Sequence, residues 1–331
     1  MKKKIVVFAT SFQDELLTHP AGEGEPARQL RQAAERNSLE LEFRCDRNPG
    51  TPPTTDELKD VVALIADLEK WDRGLLEQVG RAKGGDLGLL ARYGIGYNSI
   101  DIAAAREAGI HVSNTPGASA QPTAEWAVST LLDIAGRRIP HHARAGKGLT
   151  KTGPSRLDIS EKTLGIIGTG NIGKQAAAML SGFGLKLLAA DLYPDHEWAG
   201  AHGVEYTDIG SLCEQADFIS LHASGGSRLI GAAEIGRMHP TTVLINCARG
   251  VLVDNRAVYE AVRDGRIYGY GIDEVWEHAD MPLSSDLNIA ASPHVGSDTD
   301  LGKLRMQQLS AQAVIDYVDG REPQYIVNKE S

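Results

Sequence analysis

The sequence predicts an α/β protein built from parallel strand–helix–strand units in two successive series. Three observations carry this expectation. Short apolar runs alternate with helical segments up to residue 113, and the alternation resumes at residue 163. A glycine-rich turn, GTGNIG, stands at a strand–helix junction of the second series. The length, 331 residues, is enough for two domains with substantial cores.

In the first series KKIVVFA reads as a strand, EPARQLRQAAERN as a helix and LELEFR as a strand, followed by the loop RNPGTPPTT. VVALIA is again strand-like, WDRGLLEQVG helical, DLGLLARYG a strand running into a turn, IDIAAAREAG helical, and GIHV a strand. A long helix is expected over residues 119–138, then a basic, glycine-containing arm, RRIPHHARAGKGLTKTGPSR. The second series has the strands TLGIIG, KLLAAD, FISLH, TTVLINCA, YGYGID and NIAASPH, with helices such as NIGKQAAAMLSGFG and NRAVYEAVRDG between them. The final stretch, LGKLRMQQLSAQAVIDYVDG, has helical periodicity. The second series therefore reads as an insertion between the early strands and a returning C-terminal helix.

Composition narrows the function. Hydrophobic residues are 42% and charged residues 24%, a globular profile. A net charge of −10 argues against binding nucleic acid through its phosphates. No apolar stretch is long enough to span a membrane, and the run in MKKKIVVFAT is too short for a signal segment. Cys45, Cys213 and Cys247 lack zinc-site or disulfide-framework spacing, so no metal is expected and a reducing, cytoplasmic setting fits.

Chemistry-bearing residues cluster in the second series. Gly168, Gly170 and Gly173 form G-x-G-x-x-G directly after an apolar strand and at the start of a helix. Such glycines allow a tight turn and close approach of backbone to pyrophosphate, and a helix N-terminus offers N–H donors and a positive dipole end. The next strand ends in Asp191, about where a ribose-binding acid belongs, ~20 residues on. A carboxylate there accepts from ribose hydroxyls and repels a 2′-phosphate, which favours NAD over NADP. In TTVLINCARGVLVD, Arg249 follows a strand end. Ligands of open α/β sheets bind beyond the carboxyl ends of strands, and a guanidinium suits a carboxylate or polarises a carbonyl. The plainer alternative is a surface arginine paired with a nearby acid. In NIAASPHVGSDTD, His294 also follows a strand end, where an imidazole can pass a proton to a carbonyl oxygen. The plainer alternative is a structural histidine, as most of the ten must be. A cofactor turn, a group to hold a substrate and a group to move a proton together suit hydride transfer.

With these motifs in order, the chain resembles the D-isomer-specific 2-hydroxyacid dehydrogenases, a phosphoglycerate dehydrogenase-like family. The resemblance runs along nearly the whole chain, through ARYGIGYNSID, SNTPGASAQPTAEWAVSTLLDIAGR, TLGIIGTGNIG with Asp191, LINCARGVLVDNRAVYEAVRDGRIYGYGID and SPHVGSDT. It implies two Rossmann-like, doubly wound parallel-sheet domains, one flavodoxin-like and one NAD-binding, with the active site in the cleft between them. Residues 1–113 plus 303–331 would form the substrate domain and 114–302 the NAD domain. The segment 119–156 would supply the contact of a homodimer.

The resemblance also implies roles. Arg249 would bind the substrate carboxylate and carbonyl oxygen, and His294 would protonate that oxygen. The loop with Ile95 and Gly96 would hold the carboxylate through backbone N–H groups. Asn171 and Ile172 would lie under the pyrophosphate, and Asp191 would hold the ribose. Cys247 and Ala248 would line the nicotinamide side, and Asp273 would bond the carboxamide. The implied reaction reduces a small 2-oxoacid with NADH to a D-2-hydroxyacid.

The stretch GIDEVWEHADM departs from the family, which places a glutamate beside the proton-donating histidine. An ungapped match from Arg249 through Asp273 puts His278 in that slot, and Glu277 precedes it by one residue. Either a one-residue deletion lets Glu277 pair with His294, or His278 occupies the slot and faces His294. Ser224, Gly225 and Gly226 also stand where the family often has a proline and threonines. The basic arm, with Arg137, Arg138, His141, His142, Arg144 and Lys147, is either a solvated face or a hold for a second anionic group on the substrate. The altered slot leaves one alternative from another class, a non-catalytic NAD(H)-binding redox sensor. The presence of both Arg249 and His294, and of no additional tail after IVNKES, weighs against it.

Overall fold

The computed structural model describes residues 2–13, 24–48, 50–149, 153, 155–276 and 278–329. Contacts divide the chain into two units, residues 1–119 with 299–331 and residues 120–298.

The apolar runs of the first unit form five parallel strands: β1 (Lys4–Val7), β2 (Glu40–Phe43), β3 (Val61–Ala66), β4 (Leu89–Arg92) and β5 (His111–Ser113). Their order in the sheet is β2-β1-β3-β4-β5, the flavodoxin-like winding. Both faces are covered, so the strands read as continuous apolar runs. Ile5, Val7, Leu89 and Ala91 face one core layer. Val6, Phe8 and Leu90 face the other. Helices begin where an acid can cap them: Asp72 accepts from the Leu75 N–H at 3.0 Å and Asp101 from Ala104 at 2.9 Å. Such caps contribute about 1 kcal/mol each.

The second unit is a seven-stranded parallel sheet. It contains β6 (Thr163–Ile167), β7 (Lys186–Ala190), β8 (Val204–Tyr206), β9 (Phe218–Leu221), β10 (Val243–Asn246), β11 (Gly269–Ile272) and β12 (Ile289–Ala291). The order is β12-β11-β10-β9-β6-β7-β8. The chain runs outward from β6 to β8, returns to β9 beside β6, and runs outward the other way to β12. The reversal between β6 and β9 is the switch point where dinucleotides bind in this winding. Leu164, Ile166, Val243 and Ile245 pack under the helix Ala120–Ala135 on one face. Ile167, Leu188, Leu212, Leu244 and Val258 fill the other. The C-terminal helix Asp300–Val318 returns to the first unit, where Ala311, Val314 and Ile315 are buried in its core.

The long helix differs from the sequence reading. The helix expected over residues 119–138 ends at Ala135, and a second helix spans Arg138–Gly146. Arg137 sits between them in the left-handed region, φ 48°. Pro140 explains the break. In a continuous helix its ring would clash with a carbonyl one turn back, whereas in the first turn of a new helix its missing N–H costs nothing. The Arg137 guanidinium lies 4.3 Å over the Tyr268 ring, and Arg138 pairs with Asp133 at 3.1 Å. Two of the arm's cations therefore have partners within their own unit. Among the described residues, no helix is long and apolar enough to cross a membrane.

Candidate active site

The β6 turn has the geometry that its glycines imply. Gly168 adopts φ +94°, and a Cβ there would lie 2.6 Å from the Ala223 amide nitrogen beyond β9. At Gly173 a Cβ would lie 2.1 Å from the Gly168 carbonyl oxygen, so only glycine lets the helix Asn171–Leu180 sit this close to the turn. Gly170 caps that helix without a side chain, and a Cβ built on it meets nothing within 4 Å. An open space at an uncapped helix N-terminus fits a pyrophosphate.

Asp191 follows β7 beside this turn. Its carboxylate accepts from the Thr169 N–H at 2.6 Å, the Thr169 hydroxyl at 3.0 Å and the Tyr193 N–H at 2.8 Å. Burial opposes its charge, but the donors from Tyr193 and Thr169 outweigh it and hold the carboxyl below its ordinary range. The Thr169 hydroxyl also meets the Tyr206 hydroxyl at 2.8 Å. An ionised carboxylate at this edge suits ribose hydroxyls.

Beyond β9 and β10 lies a buried polar row. His222 Nδ1 is 3.0 Å from Cys247 Sγ, and its Nε2 is 2.8 Å from Ser220 Oγ. Burial alone lowers the His222 pKa to about 4. Burial, aided by the Asp273 charge, pushes the Cys247 thiol up to about 12. Both groups are neutral near pH 7, so one ring nitrogen of His222 donates and the other accepts, and Cys247 Sγ also lies 3.6 Å from the Leu221 carbonyl oxygen. Sequence reasoning did not single out His222 or Ser220. The one available signal was a histidine just past a strand end.

Asn246 shapes the next turn. Its amide donates to the Arg249 carbonyl at 3.0 Å, and its oxygen accepts from the Ala248 N–H at 3.0 Å. Ala248 and Arg249 are half-buried, and the Arg249 guanidinium donates to the Ala248 carbonyl at 2.6 Å. No acid pairs with Arg249 among the described residues. The Gly250 N–H donates to the Glu274 carboxylate.

After β12 the chain turns through His294, which is exposed and held at φ 59°. Asp273, 7% exposed at the end of β11, grips this loop. Its Oδ1 accepts from the Ser292 hydroxyl at 2.6 Å and the Val295 N–H at 2.8 Å, and its Oδ2 accepts from the Gly296 N–H at 2.6 Å. These three donors all belong to the histidine loop. His278 packs its ring edge-on against Trp276, with centroids 5.0 Å apart. Asp280 pairs with Arg256. Glu277 lies outside the described residues. Ile95 and Gly96 follow β4 in the first unit, where the Asn114 amide donates to the Ile95 carbonyl at 3.0 Å.

Residues 128–296 match the family model described as D-isomer specific 2-hydroxyacid dehydrogenase, NAD binding domain. The chain belongs to this family.

The dehydrogenase is 32% identical over 318 residues to a glyoxylate reductase of Korarchaeum cryptofilum, covering 92% of this chain and 94% of that one. It is 33% identical over 306 residues to a glyoxylate reductase of Thermococcus litoralis, covering 87% and 91%. A solved D-lactate dehydrogenase from Aquifex aeolicus, complexed with NAD and lactic acid, superposes with a TM-score of 0.79 at 25% identity, covering 98% of this chain and 100% of that one. The dehydrogenase is thus an NAD-dependent oxidoreductase.

Proposed function

We propose that the dehydrogenase reduces a small 2-oxoacid to the D-2-hydroxyacid, with Arg249 and His294 as the groups that act on the substrate. The observation that carries this reading is their placement. Arg249 and His294 follow β10 and β12 in the sheet that holds the glycine turn, with β11 between them. NADH supplies the hydride. Arg249 pairs with the substrate carboxylate and polarises the carbonyl. His294 gives a proton to the carbonyl oxygen, as its exposed position at a strand end allows. Backbone N–H groups of the Ile95–Gly96 loop are proposed as further donors to the carboxylate. Asn171 and Ile172 would contact the pyrophosphate, Asp191 the ribose, and Cys247 and Ala248 the nicotinamide side. The ionised Asp191 supports NADH over NADPH.

For the partner of His294 the candidates are Glu277 and His278, the latter with its ring packed edge-on against Trp276. A homodimer through the helix Ala120–Ala135 and its arm is supported by Ile139 and Leu149, which are 39% and 51% exposed. A cytoplasmic location is supported by three buried free cysteines.

Glyoxylate is the first substrate to test, since the relatives named above are glyoxylate reductases. Purified protein with NADH and a panel of 2-oxoacids, including dicarboxylic and phosphorylated ones, is followed by loss of NADH absorbance. Turnover of a small monocarboxylic member, faster with NADH than with NADPH, is expected. Tight NADH binding without turnover of any member would sink the reading.

A further inference from the structure

Two consecutive carboxylates follow β11, and they bond to two different loops. β11 lies between β10 and β12, so the residues that follow it stand between the loop after β12 and the turn after β10. Asp273 takes the first, with three donors from Ser292, Val295 and Gly296 on its two oxygens. Glu274 takes the second and accepts the Gly250 N–H immediately after Arg249. Both receiving positions are tight. A Cβ at Gly296 would lie 2.6 Å from Asp273 Oδ2, and one at Gly250 would lie 2.9 Å from Glu274 Oε2.

We propose that Asp273 and Glu274 form a clasp that fixes the Arg249 turn and the His294 loop relative to each other. Resting on the roles proposed above for Arg249 and His294, the clasp makes both acids positioning residues. Each acts through the group it holds, and neither touches substrate. His294 needs such support because a non-glycine residue in the left-handed region persists only where its surroundings hold it there. Arg249 needs it because a guanidinium delivers directed hydrogen bonds only when its backbone is fixed.

The donor inventory makes the test asymmetric. All three groups facing Asp273 are donors, so an asparagine amide would set its NH2 against an N–H. Glu274 meets a single N–H through one oxygen, and a glutamine oxygen can accept it equally well. The expected results are therefore as follows. Asp273→Asn lowers kcat about 10- to 100-fold, the size of a lost charge-assisted bond, while KM for the 2-oxoacid and NADH affinity change little. Glu274→Ala raises KM for the 2-oxoacid by a similar factor with a smaller effect on kcat. Glu274→Gln restores most of that loss. Should Asp273→Asn not fold, Ser292→Ala removes only the hydroxyl bond and is expected to lower kcat by a few-fold.

A loss confined to NADH affinity in Asp273→Asn would overturn the clasp and return Asp273 to a cofactor contact. Wild-type kinetics in Glu274→Ala would overturn it as well. Arg249→Gln and His294→Asn separate this failure from that of the parent reading. If both are impaired while the acid variants are normal, only the clasp is wrong. If wild type itself consumes no NADH with any 2-oxoacid, the functional reading has failed.

Discussion

The amide nitrogen of Gly296 lies 2.6 Å from Oδ2 of Asp273, and a methyl group on Gly296 would lie at the same distance from that oxygen. A hydrogen bond at that length is good for an N–H donor, but a carbon cannot sit there. Gly296→Ala must push the His294 loop away from the carboxylate, with Trp126 behind it 3.6 Å from the new carbon. The cost is on the order of 1–3 kcal/mol of stability. Activity should fall at least tenfold, because misplacement of a proton donor costs more than its energy suggests. Thermal unfolding and kcat on the same preparation check both effects.

The glycines of the β6 turn separate structure from binding. At Gly170 an added Cβ meets nothing within 4 Å, and φ is −71°, so Gly170→Ala should fold normally. Its methyl occupies the space assigned to pyrophosphate, so NADH should bind about tenfold more weakly or worse, as read by fluorescence titration. At Gly173 the Cβ would lie 2.1 Å from the Gly168 carbonyl oxygen, so Gly173→Ala should lose stability and binding together.

His222 makes stability depend on pH. Burial holds its pKa at about 4 in the folded state against an ordinary 6.5. As pH falls below 6.5 the unfolded chain takes up a proton that the folded chain does not accept until about 4. Stability is therefore complete above 6.5 and declines between 6.5 and about 4. The full contribution is on the order of 3 kcal/mol. Urea midpoints measured from pH 7.5 to 4.5 should fall less steeply in His222→Gln than in wild type. Parallel curves would show that His222 is not the group responsible.

If Glu277 supports protonated His294, Glu277→Gln should shift the alkaline limb of the pH profile. The fall of kcat/KM for reduction with rising pH should begin at lower pH than in wild type. The opposite ranking, with His278→Gln moving the profile and Glu277→Gln leaving it in place, would give the slot to His278.

The parts legible in the sequence are those written locally. β6, its three glycines and the following helix occupy one continuous stretch, and each apolar run in the two series became a strand. Arg249 and His294 stand out as candidates because strand ends are visible as the places where apolar runs stop. The break at Arg137 was missed because helical periodicity resumes on both sides of it, and Pro140 marks a new first turn only when the old helix is known to have ended. β8 and its flanking helices, His196–His202 and Ile209–Gln215, were too short to show a period. The contacts of Asp273, Glu274 and His222 were invisible for another reason. Their partners are Gly296, Gly250 and Cys247, each more than 20 positions away and joined only by the pairing of neighbouring strands.

The most direct test of the account is the kcat for NADH-dependent reduction of glyoxylate by wild type and by His294→Asn, with NADH binding followed by fluorescence in the same samples. The account expects wild type to turn over. It expects the variant to bind NADH within about twofold of wild type while its kcat falls roughly 10²- to 10⁴-fold, the range for loss of a general acid. Equal kcat values in the two proteins would remove His294 from the chemistry and contradict the account.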